Sequence, residues 1–302
     1  MISHPRRLSQ AIARVRDSAS TRRRLIVTAD DLGLHEDINR GIQRAHTEGI
    51  VTSASVVACG QAFAHAAAVM HECPSLDVGV HLTLVEEQPL SHAADISTLV
   101  QANGRFLSSY KALTARLLAG MIRPEEIRRE LRAQIERVMA AGRRPSHLDG
   151  HQHVHVLPSI WRITRELAHE YGIEWIRIPH FDSVFASRKG LFDPCFRLGL
   201  NVLGSLAARE AEDARRISTL GLHLSGRLGE SRLMRLLASV GDGVSEVVTH
   251  PGVTTPALTS RYPWRYDWST ELAALTSPRV QSALRRYSIE LMRFSACSPS
   301  AA

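Results

Sequence analysis

The sequence predicts an α/β fold: a distorted or incomplete (β/α) barrel of parallel strands with a metal site at the C-terminal strand edge. Three observations carry this. Short β-branched runs alternate with helical periodicity along the whole body. The length, 302 residues, suits one large barrel domain. Four polar clusters stand at the C-terminal ends of predicted strands, the edge where sites in parallel α/β enzymes assemble.

The elements follow in order. Arg24-Leu25-Ile26-Val27-Thr28-Ala29 reads as a buried strand that ends on Asp30-Asp31-Leu32-Gly33. Residues 36–48 place Ile38, Ile42 and Ala45 on one helical face, and Gly49 supplies a stop. Residues 51–57 read as strand, 61–72 as an alanine-rich helix, and 77–82 as a strand carrying His81. The stretch 85–105, with Pro89, Asn103 and Gly104, reads as a long loop, a kind of segment that often serves function. Helical patterns cover 109–120 and 124–140. A strand at 146–151 precedes a helix opened by Pro158, and 174–179 is again strand. Residues 191–209 form an apolar segment that includes Leu198, Leu200, Val202 and Leu206. Strands are expected at 217–222, 245–249 and 288–292, with helices at 230–239 and near 270–286. The barrel domain is set at 24–295, between a basic arm (1–23) and a short tail (296–302).

Composition narrows the function classes. With 44% hydrophobic and 22% charged residues the chain is globular rather than disordered. No apolar run reaches the ~18 residues of a membrane span, and no apolar core follows the N-terminal arginines as a secretory signal would require. The four cysteines form no CxxC pair, which disfavours a thiolate zinc site and fits a reducing cytoplasm. The net charge of +7 invites a nucleic-acid reading. However, residues 1–24 hold seven arginines and one acid, so the rest of the chain is nearly neutral and no nucleic-acid partner is expected. The arm reads as a solvated extension. Leu8, Ile12 and Val15 also give it the spacing of a basic amphipathic helix on an anionic membrane.

The polar clusters carry the chemistry. They are Asp30-Asp31, His81, the run Asp149-Gly150-His151-Gln152-His153-Val154-His155, and His250-Pro251-Gly252. Each has a bland reading: an Asp capping a helix, a satisfied core histidine, a turn residue. Adjacent carboxylates repel unless a cation or donor offsets them. Histidines 151, 153 and 155 alternate, so in extended chain they share one side. One carboxylate with two imidazoles and open positions is a hydrolytic or oxygenase metal set. A second carboxylate beside it is then available as a base.

The sequence resembles the YdjC-like carbohydrate deacetylases, which include chitooligosaccharide and hopanoid-associated glycolipid deacetylases. The matching residues are Ile26 to Gly33, Asn39, Gly41-Ile42, residues 49–53, Gly79-Val80-His81-Leu82, residues 147–155, and His250-Pro251-Gly252. Leu32 stands where the family has Phe. The resemblance implies a distorted barrel and one divalent metal held by Asp31, His81 and His151. It implies Asp30 as general base and His250 as general acid. Arg177 is similar to an arginine that braces the base in related polysaccharide deacetylases, with a surface salt bridge as the plain alternative. Asp149, His153 and His155 stand behind the ligands or against substrate, with packing an equal reading for His155.

These types suit amide hydrolysis. A metal polarises the carbonyl and acidifies water, a carboxylate takes the water's proton, and an imidazole, ordinarily titrating near neutrality, protonates the departing amine. Two imidazoles favour zinc or another transition ion, whereas the family is usually associated with magnesium. The family points to an acetylated amino sugar. The arm and 191–209 tilt that towards a lipid-linked one such as a glycosylated hopanoid, handled by a cytoplasmic enzyme touching the inner membrane. The segment 191–209 reads equally as a core helix or as the interface of a homo-oligomer. Soluble chitooligosaccharide is the alternative substrate, and a metal- or carbohydrate-binding barrel without turnover is the alternative of another class.

Overall fold

A computed structural model describes residues 22–180, 194–210 and 217–297. The predicted arm up to residue 21, residues 191–193 and the tail beyond 297 lie outside them. Eight parallel strands form one sheet curled into a half-barrel. They are β1 (Arg23–Leu32), β2 (Ser53–Val56), β3 (Asp77–Leu82), β4 (His147–Gly150), β5 (Trp175–Ile176), β6 (Ser218–Leu220), β7 (Gly243–Thr249) and β8 (Ile289–Leu291). The order is β5-β4-β3-β2-β1-β7-β6, and β8 pairs with the first three residues of β1. The helices are α1 (Glu36–Thr47), α2 (Phe63–Glu72), α3 (Tyr110–Leu118), α4 (Pro124–Ala140), α5 (Pro158–Tyr171), α6 (Pro194–Glu210), α7 (Glu230–Ser239), α8 (Pro256–Arg261), α9 (Trp268–Leu275) and α10 (Pro278–Arg286).

Strand β1 is central. Its Leu25-Ile26-Val27 run is fully buried, as a parallel strand covered on both faces requires. It pairs with β7 from Arg23 to Ala29 and with β2 from Thr28 to Leu32, and the β2 register breaks between Ala29 and Leu32. The break falls on Asp30 and Asp31, and Asp31 has a left-handed backbone at φ 74°. Helix α1 buries Ile38, Ile42 and Ala45 against the sheet, as its periodicity predicts. A Cβ on its Gly41 would lie 2.2 Å from the Cα of Gly252. Backbone therefore packs on backbone there, seating the turn that follows His250.

Three features differ from expectation. The 270–286 helix is two helices. Pro278 cannot donate into a continuing helix, and the Ser277 hydroxyl accepts from Arg279 N, which starts α10 afresh. The 85–105 stretch is not all loop: it holds a 3-10 turn (Ala93–Ile96) and bridges Val85 to Leu107 and Val100 to Phe106. Helix α8 was not expected. Of the apolar 191–209 segment, the described part is α6. It buries Leu200 and Ala207 and leaves Leu198, Val202 and Leu206 about half exposed (55%, 54% and 47%). No described helix is long and apolar enough to cross a membrane.

Candidate metal centre and active site

The break in β1 sends two consecutive carboxylates to different partners. The turn after them is held by Asn39, whose Oδ1 accepts from Gly33 N (2.7 Å) and whose amide donates to Ala62 O (3.1 Å). Asp31 meets two imidazoles: its Oδ1 lies 3.2 Å from His151 Nδ1 and 3.5 Å from His81 Nε2. The three donors lie within 4.8 Å of one another and all three residues are buried.

This set fits a divalent cation. The separations are of the size kept by donors about 2.0–2.2 Å from one ion. His81 donates its other nitrogen, Nδ1, to Asp149 Oδ1 at 2.8 Å, which turns Nε2 towards the Asp31 oxygen. Asp31 calls for positive charge beside it, carried by protons on the two imidazoles or, in their place, by a cation, and a carboxylate behind a ligating histidine is the usual support. Burial would raise the Asp31 pKa, but the His151 hydrogen bond and the charges of His151 and His81 hold it at about 2. Burial would lower His151, but its hydrogen bond with Asp31 and the nearby Glu86 carboxylate push it up to about 10. Burial opposes the charged form of His81 as well, yet Asp149 raises its pKa.

Asp30 belongs to a second cluster. Arg177, wholly buried, donates through Nη1 and Nη2 to the two Asp30 oxygens at 2.7 and 2.9 Å. The same guanidinium pairs with Asp149 and donates to Glu246 at 2.7–3.1 Å. Thr28 donates to Glu246 at 2.7 Å, and the Ser55 hydroxyl donates to Asp149. Burial works against the ionised Asp149, but Arg177 and then His81 hold it well below the usual carboxylate range. For Glu246 burial outweighs Arg177 and raises the pKa. Arg177 is therefore not at the surface but is a fixed cation ringed by three carboxyl groups.

The structure brings Asp30, Asp31, His81, His151, His153 and His250 onto one cavity of about 20 Å³, room for little more than an ion or a water. His250 N donates to Glu271 Oε2 at 2.7 Å, which fixes the turn, and its ring stands edge-on to Tyr266 at 5.1 Å. The extended reading of 151–155 is overturned. The backbone folds into a 3-10 turn, with Gln152 and His153 left-handed at φ 53° and 57°. The three rings therefore part: His151 reaches Asp31, His153 lines the cavity, and His155 Nε2 donates to Arg177 O (2.8 Å). Burial lowers His155 to about 4, so it is a neutral packing residue that positions the Arg177 backbone.

Sequence reasoning missed several groups. Glu246 and Glu271 are buried carboxyls at the cluster and behind His250. Glu86 stands at φ 66°, with its carboxylate 3.6 Å from His151 Nε2. Tyr262, Trp264, Tyr266 and Trp268 form a ladder with ring centroids 4.7–5.8 Å apart, and Trp264 and Tyr266 border the cavity. The signal was there: four aromatics alternate within seven residues of a chain that is 5% aromatic. Asp31, Glu86, Gln152 and His153 are among the six non-glycine residues with positive φ in the described chain. Backbone strain is thus concentrated at this site, as expected where geometry is dictated by function.

A half-barrel with a cation donor set and a separate buried carboxylate on the same cavity is the design of a metal-dependent hydrolase. The chain belongs to the YdjC-like family: the family model described as YdjC-like protein matches residues 24–286. It is 32% identical over 274 residues to a carbohydrate deacetylase of Brevibacillus brevis, covering 90% of this chain and 98% of that one. It is 34% identical over 279 residues to a chitooligosaccharide deacetylase of Yersinia enterocolitica, with the same coverage. The fold is shared with a crystal structure from Enterococcus faecalis V583, a protein with a proposed role in cellobiose-phosphate cleavage. That match has a TM-score of 0.76 and 24% identity, and covers 92% of this chain and all of that one.

Proposed function

We propose that the protein is a metal-dependent N-deacetylase of acetylated amino sugars. The observation that carries this is the presence of an unligated carboxylate, Asp30, and an imidazole, His250, on the same small cavity as the Asp31-His81-His151 set. A binder without turnover needs neither. Asp31, His81 and His151 would hold a divalent cation, which would supply polarisation of the carbonyl and acidification of water. Asp30 accepts the water's proton. Arg177 grips both Asp30 oxygens and fixes the carboxylate's plane, leaving a lone pair on each for that proton. His250 donates a proton to the departing nitrogen, so amide and water leave as acetate and amine. His153 borders the cavity as a substrate contact.

Release of acetate from N-acetylglucosamine and its oligomers, by protein loaded with zinc or magnesium and by chelated protein, tests the reading. No acetate from any of these sugars, nor from a glycosylated lipid in vesicles, under either metal would end it. Metal analysis of protein purified without chelator or histidine tag separates zinc from magnesium. A lipid-linked sugar is the finer reading favoured by the exposed Leu198, Val202 and Leu206 stripe on α6 and by the basic arm. Anionic vesicles carrying a glycosylated lipid should then raise turnover, and equal rates on soluble sugar without vesicles would defeat it.

A further inference from the structure

The two imidazoles that face Asp31 use opposite nitrogens. His81 turns Nε2 towards Asp31 and gives Nδ1 to the Asp149 carboxylate at 2.8 Å. His151 turns Nδ1 towards Asp31 at 3.2 Å, which leaves Nε2 at the far end of the ring. That nitrogen is buried and has no hydrogen-bond partner among the described residues. The Glu86 carboxylate stands 3.6 Å from it, beyond hydrogen-bond length but within reach of an ion pair. The donor set within 4.8 Å does not include Glu86, so this carboxylate stands behind the ring rather than in the set.

The Glu86 side chain has no competing partner. The guanidinium groups of Arg105 and Arg261 both pair with Glu87, at 3.9 and 2.9 Å. Among the described residues, His151 is the one ion-pair partner of Glu86. The Glu86 side chain is 24% exposed where that of Asp149 is fully buried, so it can be replaced without opening the core.

The backbone carries strain to put the carboxylate there. Glu86 has φ 66°, a left-handed conformation that a residue with a Cβ adopts only under constraint. The constraint comes from both sides. Glu86 N donates to Leu107 O at 2.8 Å, and Arg105 donates to Glu86 O at 2.6 Å. Next to it, buried Glu87 accepts from Arg261 and from the Tyr262 hydroxyl. Further along, Glu130 on α4 accepts from Leu90 N and Ser91 N. Glycine would adopt this φ without strain. A glutamate at such a position is explained by what its side chain does.

We propose that Glu86 is a positioning residue for the metal site: it accepts the Nε2 proton of His151 and so fixes the tautomer whose Nδ1 is free to bind a cation, as Asp149 does for His81. The inference rests on the metal-binding half of the deacetylase reading and not on the sugar. The test is the zinc dissociation constant of the full-length chain, stripped of metal and titrated against a competing chelator dye, beside the melting temperature of the metal-free protein. Glu86→Ala and Glu86→Gly should weaken zinc binding by about 10–100-fold. Glu86→Gln keeps an acceptor and should recover most of that loss. Metal-free Glu86→Gly should melt at or above the wild-type temperature because the strain is released, which separates loss of the support from loss of the fold. Zinc affinity within about threefold of wild type in Glu86→Gly, or an equal loss in Glu86→Gln, would overturn the proposal. So would a metal-free Glu86→Gly that melts well below wild type, since the residue would then be holding the loop. Tight zinc binding that is lost in Glu86→Gly, with no acetate released from any sugar or glycosylated lipid, would uphold the support and sink the deacetylase reading. A wild type that binds zinc no better than His151→Ala would sink the metal site and this inference together.

Discussion

Asp30 and Asp31 are neighbours in the chain, yet they sit in two electrostatic regions. Around Asp30 the positive charge belongs to the protein: Arg177 is covalently part of the chain and touches Asp30, Asp149 and Glu246 at once. Around Asp31 the donors face one another across a gap that suits an exchangeable ion. A buried carboxylate must be neutralised in either case. A built-in guanidinium is always in place but leaves no open coordination position, whereas an exchangeable ion offers one. The first arrangement suits a base that must stay oriented, and the second suits activation of a substrate. Asp149 joins the regions, with one oxygen on His81 and the other paired to Arg177.

The comparison breaks most easily at Arg177. Arg177→Ala strands three buried carboxyl groups and should cost about 3–5 kcal/mol of folding stability, with activity lost as well. Urea unfolding checks it, and a cost under about 1 kcal/mol would mean that the guanidinium is not the region's counter-charge. Asp30→Asn should cut kcat by roughly 10²–10⁴-fold while metal content stays at the wild-type level. Near-full activity in that variant would remove Asp30 as base. His151→Ala should do the reverse in metal analysis, lowering bound metal and, with it, the rise in melting temperature on adding zinc. Undiminished metal would place the ion elsewhere.

The smallest effect concerns pH. Burial lowers His147 to about 4 from an ordinary 6.5. The ring stacks on Phe294 at 4.1 Å, in space that exists because residue 79 is glycine. The unfolded chain takes up this proton as pH falls below about 6.5, and the folded chain resists until about 4. Stability is therefore fully present above 6.5 and is lost as pH falls through 4, by roughly 3 kcal/mol for this ring. His147→Gln should flatten the dependence of the urea midpoint between pH 7 and 4.5. Parallel profiles for variant and wild type would show that His147 does not carry it.

Much of this was legible in the sequence because strand ends are marked by composition. β-Branched runs stopping on Asp-Asp, on His81 or on His250 located the sheet's C-terminal edge, and parallel pairing brought those ends together. What was hidden depends on backbone or tertiary detail. Alternation of 151, 153 and 155 implied one shared side, but left-handed residues at 152 and 153 are not written in periodicity. Glu246 sits between Ser245 and Val247 in β7, and only the curl of the sheet, bringing Arg177 across to it, distinguishes it from an ordinary strand residue. Glu271 lies on α9, and only the packing of that helix brings its carboxylate onto the His250 backbone. The aromatic ladder was countable but sat outside every expected strand and helix.

Strand β1, the first of the described strands, pairs with β7 and β8, the last of them. During synthesis on the ribosome, some two hundred residues emerge before the edge carrying Leu25, Ile26 and Val27 finds those partners. That edge is apolar and unpaired in the meantime, the kind of surface that chaperones recognise and that aggregates at high expression. Yield in a heterologous host should therefore respond to translation rate and temperature more than to the metal supply.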